Sequence, residues 1–320
     1  MTPAEPIARA EITAARERIS GHVLRTPLVR LNVDDTPAEI YLKLENLQPI
    51  GAFKLRGASN VMLQSAPAEL AHGVWTASAG NMAQGVAWQA RRMGVPCTVV
   101  APDHAPQTKL DAIARLGARA ITVPFTEWFE ILSTRAYPGV EGVFIHPFND
   151  PRVMAGNGTI GLEILEDLPN VATILIPFGG GGLSCGIASA VRALQPGVRI
   201  YAAEAETSAP VAAAFAADAP VAVSHTATFI DGSGAPAVKP EMWPLVRRLL
   251  DGARVVTLAE VAAAVRLLLE RNRVLAEGAG ALPVAAALRE PAGGGPIVCV
   301  VSGGNLDTAK LSAILRGEVP

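Results

Sequence analysis

Only five lysines, Lys43, Lys54, Lys109, Lys239 and Lys310, can serve as amine nucleophiles in a chain whose basic residues are mostly arginine. Lys54 stands apart. It lies in Gly51-Ala52-Phe53-Lys54-Leu55-Arg56-Gly57-Ala58, between an aromatic and an aliphatic neighbour, where burial would depress its pKa and favour the neutral, nucleophilic amine. An aliphatic stem lying along apolar surface would give the same neighbours without any chemistry. Lys109 and Lys310 read as solvated helix positions, and Lys43 alternates outward on a strand.

Three glycine-bearing loops each follow an apolar strand and precede a helix: Ser78-Ala79-Gly80-Asn81, Gly179-Gly180-Gly181-Gly182 and Ser302-Gly303-Gly304-Asn305. Glycine lets backbone N–H groups approach a ligand and a helix start favours negative charge, so each loop suits a phosphate or a carboxylate. The four-glycine run is the strongest, because it removes every Cβ that could fend off a phosphate. A flexible turn is the plain alternative. A dinucleotide fingerprint is another: Gly180, Gly182 and Gly186 are roughly spaced for one, although the last is a place late, and Glu204 ends the next strand where a ribose-binding acid would sit. An amine in an apolar setting together with a phosphate cradle is what a phosphorylated aldehyde cofactor requires, which points to pyridoxal phosphate.

The elements that must position these residues have the pattern of an α/β protein, with runs rich in Val, Ile and Thr alternating with segments of helical period. One series predicts strands at 74–76, 97–101 and 119–123 with helices at 81–93 and 107–116. A second predicts strands at 173–177, 198–204, 254–257 and 297–302 with helices at 183–194, 259–271 and 306–316. Two such series imply two open, mainly parallel sheets flanked by helices, with a ligand cleft between them. The alanine-rich stretch 211–222 reads as a helix or a mobile loop.

Half of the 320 residues are hydrophobic and the formal net charge is -2, so a folded globular protein is expected, with no counterpart for a nucleic-acid backbone or an anionic membrane surface. The first twenty residues read as an amphipathic helix rather than a signal peptide, and no membrane span is evident. Cys97, Cys185 and Cys299 sit singly in apolar surroundings, as suits reduced core thiols of a cytoplasmic protein. His22, His72, His104, His146 and His225 lack ligand spacing and read as surface or packing residues.

Segments 51–58, 78–87, 146–168 and 179–186, taken in order, resemble the threonine dehydratase and serine racemase group of fold-type II pyridoxal-phosphate enzymes. The resemblance runs from Thr26-Pro27-Leu28 to Ser302-Gly303-Gly304-Asn305-Leu306-Asp307. It implies that Lys54 bonds to the cofactor aldehyde and later removes the substrate Cα proton, that Phe53 packs near the ring, and that Asn81 binds its phenolic oxygen. By the same resemblance Gly179, Gly180, Gly181, Gly182 and Leu183 hold the phosphate, Ser302 faces the pyridine nitrogen, and Glu277 lies close in a supporting role. Ser78, Ala79, Gly80, Asn81 and Met82 would receive the substrate carboxylate. The expected reaction is β-elimination from a β-hydroxy amino acid to a 2-oxo acid and ammonia, in an interdomain cleft. A large cofactor-binding domain is expected at 1–70 and 149–320, a small substrate-gating domain at 71–148, and a homodimer by analogy.

Departures from the group's pattern qualify these expectations. Racemases of the group carry a second serine where this chain has Ala79, so amino acid racemisation is the runner-up. Met82 replaces an expected histidine, which would make the wall near the carboxylate loop more apolar and L-threonine a poor substrate; simple helix packing is the alternative. A divalent-cation site, Mg²⁺ or Ca²⁺ in some relatives, would use Glu204 and a carbonyl near Ser208, but Pro210 stands where its second acid belongs, leaving Glu206 or water to substitute. The Asp231-Gly232-Ser233-Gly234 segment has no account from sequence. No room for a regulatory domain follows the final helix, so inhibition by isoleucine is not expected. Outside this group two readings stay open: a nicotinamide-dependent oxidoreductase, and an amino-acid-binding protein without chemistry.

Overall fold

The computed structural model describes residues 5–34, 36, 38–105, 107–290 and 294–320. Its strands in chain order are β1 (Leu28–Arg30), β2 (Ile40–Leu44), β3 (Val74–Ala77), β4 (Cys97–Pro102), β5 (Arg119–Val123), β6 (Val143–Phe144), β7 (Thr173–Pro177), β8 (Arg199–Ala205), β9 (Ala253–Val256) and β10 (Ile297–Val301). They form a six-stranded sheet, order β1-β2-β10-β7-β8-β9, and a four-stranded sheet, order β5-β4-β3-β6. Only the β1–β2 pairing is antiparallel among the named strands. The central strands β7 and β10 are buried along their whole length, as strands covered on both faces must be. Two mainly parallel sheets flanked by helices are therefore the architecture, as the alternating pattern required.

Helices with one wet face fall where the periodicity puts them: Asn81–Met93, Gln107–Arg115, Leu258–Leu267 and Thr308–Leu315. The first part of the alanine-rich stretch folds as the helix Pro210–Ala217, and 218–222 leave it as irregular chain. Several helices have no counterpart in the sequence reading, chief among them Lys54–Gln64, Pro151–Asp167 and Gly278–Arg289. Burial explains the omission. In Pro151–Asp167 every residue from Val153 to Leu165 is buried, so no polar stripe marks a helical period. Its glycines also mislead, since they serve close packing: a Cβ on Gly156, Gly158 or Gly161 would come within 2.5, 2.9 and 2.8 Å of the backbone oxygens of Arg56, Gly186 and Ile187.

Lys43 corrects the sequence reading. It does not point outward on its strand but is 0% exposed, because β2 lies inside the sheet and the helix Pro151–Asp167 supplies a partner. Its Nζ donates to Glu163 Oε2 and to Thr26 O, each at 2.6 Å. Arg56, equally buried, donates to both oxygens of Glu45 (2.8 and 2.8 Å) and both of Glu163 (2.6 and 2.9 Å). Breaking such a buried group costs about 3–5 kcal/mol, far more than solvent leaves to an exposed pair such as Arg316 with Glu318. Arg56 lies two residues after the start of the helix Lys54–Gln64, so the network anchors that helix's first turn.

Candidate active site

The helix Lys54–Gln64 starts at Lys54 itself, so the residue's side chain leaves the chain where it turns from the Ile50–Phe53 segment into the helix. That entry is strapped to the end of β10: Phe53 N donates to Ser302 O at 3.0 Å, Gly304 N to Gly51 O at 2.9 Å, and Asn305 Nδ2 to Ile50 O at 2.8 Å. Lys54 Nζ donates to Pro147 O at 2.6 Å and stands 5.1 Å from the centre of the Phe53 ring. Burial lowers its pKa to about 8, against an opposing pull from Glu277. Phe53, Lys54 and Ser302 line one cavity of about 350 Å³ with the two glycine loops at 78–81 and 179–182.

The four-glycine loop lies between β7 and the helix Gly182–Leu194, whose N-cap, Gly181, sits at φ 90° and offers no side-chain hydrogen bond to the first turn. Its backbone amides are free to face an anion at a helix start. The reason for four glycines differs from the sequence argument. A Cβ on Gly180 would lie 2.2 Å from Phe148 Cγ, one on Gly182 2.5 Å from Phe148 O, and one on Gly179 2.7 Å from Gly232 O. The glycines are demanded by protein packed behind the loop as much as by any ligand before it.

The Asp231-Gly232-Ser233-Gly234 segment now has a role, since it forms that backing. Ser233 Oγ and Gly234 N donate to Phe178 O at 2.8 and 3.0 Å. Asp231 also receives Lys109 Nζ at 3.0 Å. Lys109 is therefore no solvated helix position; it crosses from the four-stranded unit and lines the cavity with Asp231. Lys310 likewise turns toward Thr228 O and Asp231.

Asn81 opens the helix Asn81–Met93 and is held from both sides. Its Nδ2 donates to Glu277 Oε1 at 2.9 Å, and its Oδ1 accepts from Asn305 Nδ2 at 2.8 Å. Burial, reinforced by Asp231, pushes the Glu277 carboxyl up to about 8 despite the hydrogen bond from Asn81. Ser78 Oγ accepts from Gly80 N at 3.2 Å, while Ala79 and Gly80 border the cavity half-exposed. Met82 serves two ends: it lines the cavity, yet at 1% exposure it belongs to the apolar cluster that includes Val61, Met62 and Val86. Sequence reasoning gave Pro147 and Phe148 no role of their own and named Asn305 only as part of the third glycine-bearing loop.

Glu204 and Ser208 lie elsewhere. The Glu204 carboxylate accepts from Val211 N and Ala212 N at 2.8 and 2.9 Å, capping the helix Pro210–Ala217, and burial raises its pKa to about 7. Ser208 Oγ donates to Ala235 O and accepts from Ala235 N, both at 2.9 Å. The dinucleotide reading loses both its marks, since Glu204 is a helix cap and Gly186 admits Met154 O between two packed helices. Among the described residues no group of three or more His, Cys, Asp or Glu is gathered as a metal site, and no helix is long and apolar enough to cross a membrane.

Pyridoxal phosphate fits this arrangement on the donor set alone: a half-buried amine, a helix start behind glycines, and amide and hydroxyl side chains face one cavity. Comparison with known proteins agrees. The family model for pyridoxal-phosphate dependent enzymes matches residues 19–303. An L-threonine ammonia-lyase of Geobacter sulfurreducens is 42% identical over 315 residues, 96% of this chain and 78% of that protein. Among solved structures, maize serine racemase superposes with a TM-score of 0.90 at 34% identity, over 98% of both chains. Threonine deaminase isoform 2 from Solanum lycopersicum gives 0.84 at 30% identity, over 99% of this chain and 96% of that one.

Proposed function

This chain belongs to the pyridoxal-phosphate dependent enzyme family, and from that premise we propose that it removes the hydroxyl of a β-hydroxy amino acid, releasing a 2-oxo acid and ammonia. The observation that carries the reading is the meeting of Lys54, the 78–81 and 179–182 loops and Ser302 around one cavity. Pyridoxal phosphate, when bound, supplies an aldehyde for amines and an electron sink that acidifies the substrate Cα–H. Lys54 would hold it covalently beside Phe53, with amides of Gly179 to Leu183 on its phosphate, Asn81 on its phenolic oxygen, Glu277 behind Asn81, and the neutral hydroxyl of Ser302 toward its ring nitrogen.

In this reading Lys54 Nζ would take the substrate Cα proton, and a pKa lowered to about 8 leaves part of the amine neutral at physiological pH. Amides of the 78–81 loop, at the start of Asn81–Met93, hold the substrate carboxylate. The Cβ hydroxyl leaves with a proton as water, and one water is consumed when the C–N bond is hydrolysed to ammonia. L-Threonine is the substrate supported by likeness to the L-threonine ammonia-lyase of Geobacter sulfurreducens. Met82 in place of a histidine favours a bulkier β-substituent instead, but its fixed packing weakens that expectation. The division into domains at 1–70 with 149–320 and at 71–148 is supported by the separation of the two sheets. A homodimer is included by family analogy, and a reducing compartment by the three buried free thiols.

The test is a panel of serine, threonine, hydroxyaspartate and phenylserine stereoisomers, with oxo acid and ammonia measured together. Equal release of both from at least one substrate, abolished in Lys54→Ala, is expected; no release from any would overturn the proposal. Likeness to maize serine racemase favours racemisation as a second reading. Ala79 offers no hydroxyl for the opposite face, so D-serine formation should be negligible beside oxo-acid production. A divalent cation at Glu204 would have to displace two helix amides; chelation is expected to leave activity and Tm unchanged.

A further inference from the structure

We propose that His146 is a positioning residue that holds the Lys54 amine and the four-glycine loop in fixed relation, acting through the two residues that follow it. His146 is 2% exposed and lies where the chain crosses from β6 to the helix Pro151–Asp167, between the two sheets. Its Nδ1 accepts from the backbone N–H groups of Phe148 and Asn149, at 3.2 and 2.8 Å. An accepting Nδ1 carries no proton, so Nε2 does, and it donates to Leu132 O at 3.2 Å. The ring is thereby fixed as one neutral tautomer. Burial, with Arg135 and Lys239 nearby, keeps it neutral by pushing its pKa down to about 3.

Two links lead from this turn to the site. Pro147 O accepts from Lys54 Nζ at 2.6 Å. Phe148, whose ring meets His146 edge-on at 4.6 Å between centroids, fills the space a Cβ on Gly180 would take, and its carbonyl does the same for Gly182. The amine and the phosphate-facing loop thus rest on consecutive residues of one turn, and the imidazole is what pins that turn. Its hydrogen bonds resemble those of an asparagine that accepts from amides just ahead of it in sequence. An apolar side chain would fill the space without holding the amides.

This inference rests on the reading of Lys54 and the glycine loop as the cofactor site, so the experiment begins on apoprotein. Wild type, His146→Asn, which keeps an acceptor, and His146→Leu, which does not, are titrated with pyridoxal phosphate by absorbance, with Tm, kcat and KM for L-threonine measured alongside. Loss of the pin should raise the half-saturating cofactor concentration about tenfold and lower kcat comparably in His146→Leu, with KM little changed and His146→Asn within about threefold of wild type. A leucine variant that binds and turns over like wild type would overturn the proposal, as would an asparagine variant as impaired as the leucine one. Wild type that binds no cofactor at all would instead remove the functional reading beneath it. Should His146→Leu fail to fold, ¹⁵N-histidine NMR of wild type decides: an unprotonated Nδ1 with a proton on Nε2 is expected, and a protonated Nδ1 contradicts the account.

Discussion

Two helix starts in this molecule share one plan, a parallel strand running into a glycine loop and then a helix, yet their surroundings are opposite. Behind the 179–182 loop, Phe148 and Gly232 crowd the positions where side chains would begin. At the 78–81 loop a Cβ added to Gly80 would meet nothing within 4 Å. A rigid, backed loop suits a group that stays bound, such as a cofactor phosphate. An open one suits a group that enters and leaves with each turnover, such as a substrate carboxylate.

The contrast can be broken most severely at Gly180. Gly180→Ala brings a methyl group to 2.2 Å from Phe148 Cγ, and overpacking of this kind costs about 1–3 kcal/mol. Cofactor affinity and Tm should both fall, as absorbance titration and calorimetry would register; a variant that binds pyridoxal phosphate normally would show the loop to be loosely backed.

A middle-sized effect is expected at Glu277, which steadies the open helix start by accepting from Asn81. Its pKa is raised to about 8 by burial, so its favourable share of stability is complete below the unfolded value near 4.5 and is lost as pH rises through about 8. Glu277→Gln, a neutral stand-in, should flatten the decline of apoprotein Tm across that window. Parallel Tm–pH curves for the two proteins would contradict this. The smallest effect belongs to Gly80→Ala, whose methyl group enters cavity space: cofactor binding should hold while KM for the amino acid rises several-fold. Equal damage to both would erase the distinction between the loops.

Much of this was legible in local sequence, and the rest was hidden for physical reasons. Helices such as Asn81–Met93 lie where their patterns put them because one-sided burial writes a period into the sequence, and the strand Thr173–Pro177 because a strand covered on both faces reads as a short apolar run. The helix Pro151–Asp167 is buried all round and writes none. Lys54 could be singled out by its neighbours, but its partner Pro147 lies ninety-three residues away and has only a carbonyl to offer. Lys43 was misread because strand alternation assumes a solvent face, and Glu163 reaches it from a covering helix. The four glycines were noticed for the close approach of a ligand, and the fold adds a second reason, since Phe148 and Gly232 are brought against them.

The central claim is that one amine in this cleft carries the cofactor. Protein saturated with pyridoxal phosphate, reduced with borohydride and digested, should show by mass spectrometry a single pyridoxyl adduct on Lys54. An adduct confined to any other lysine, or none after reduction, would contradict the account.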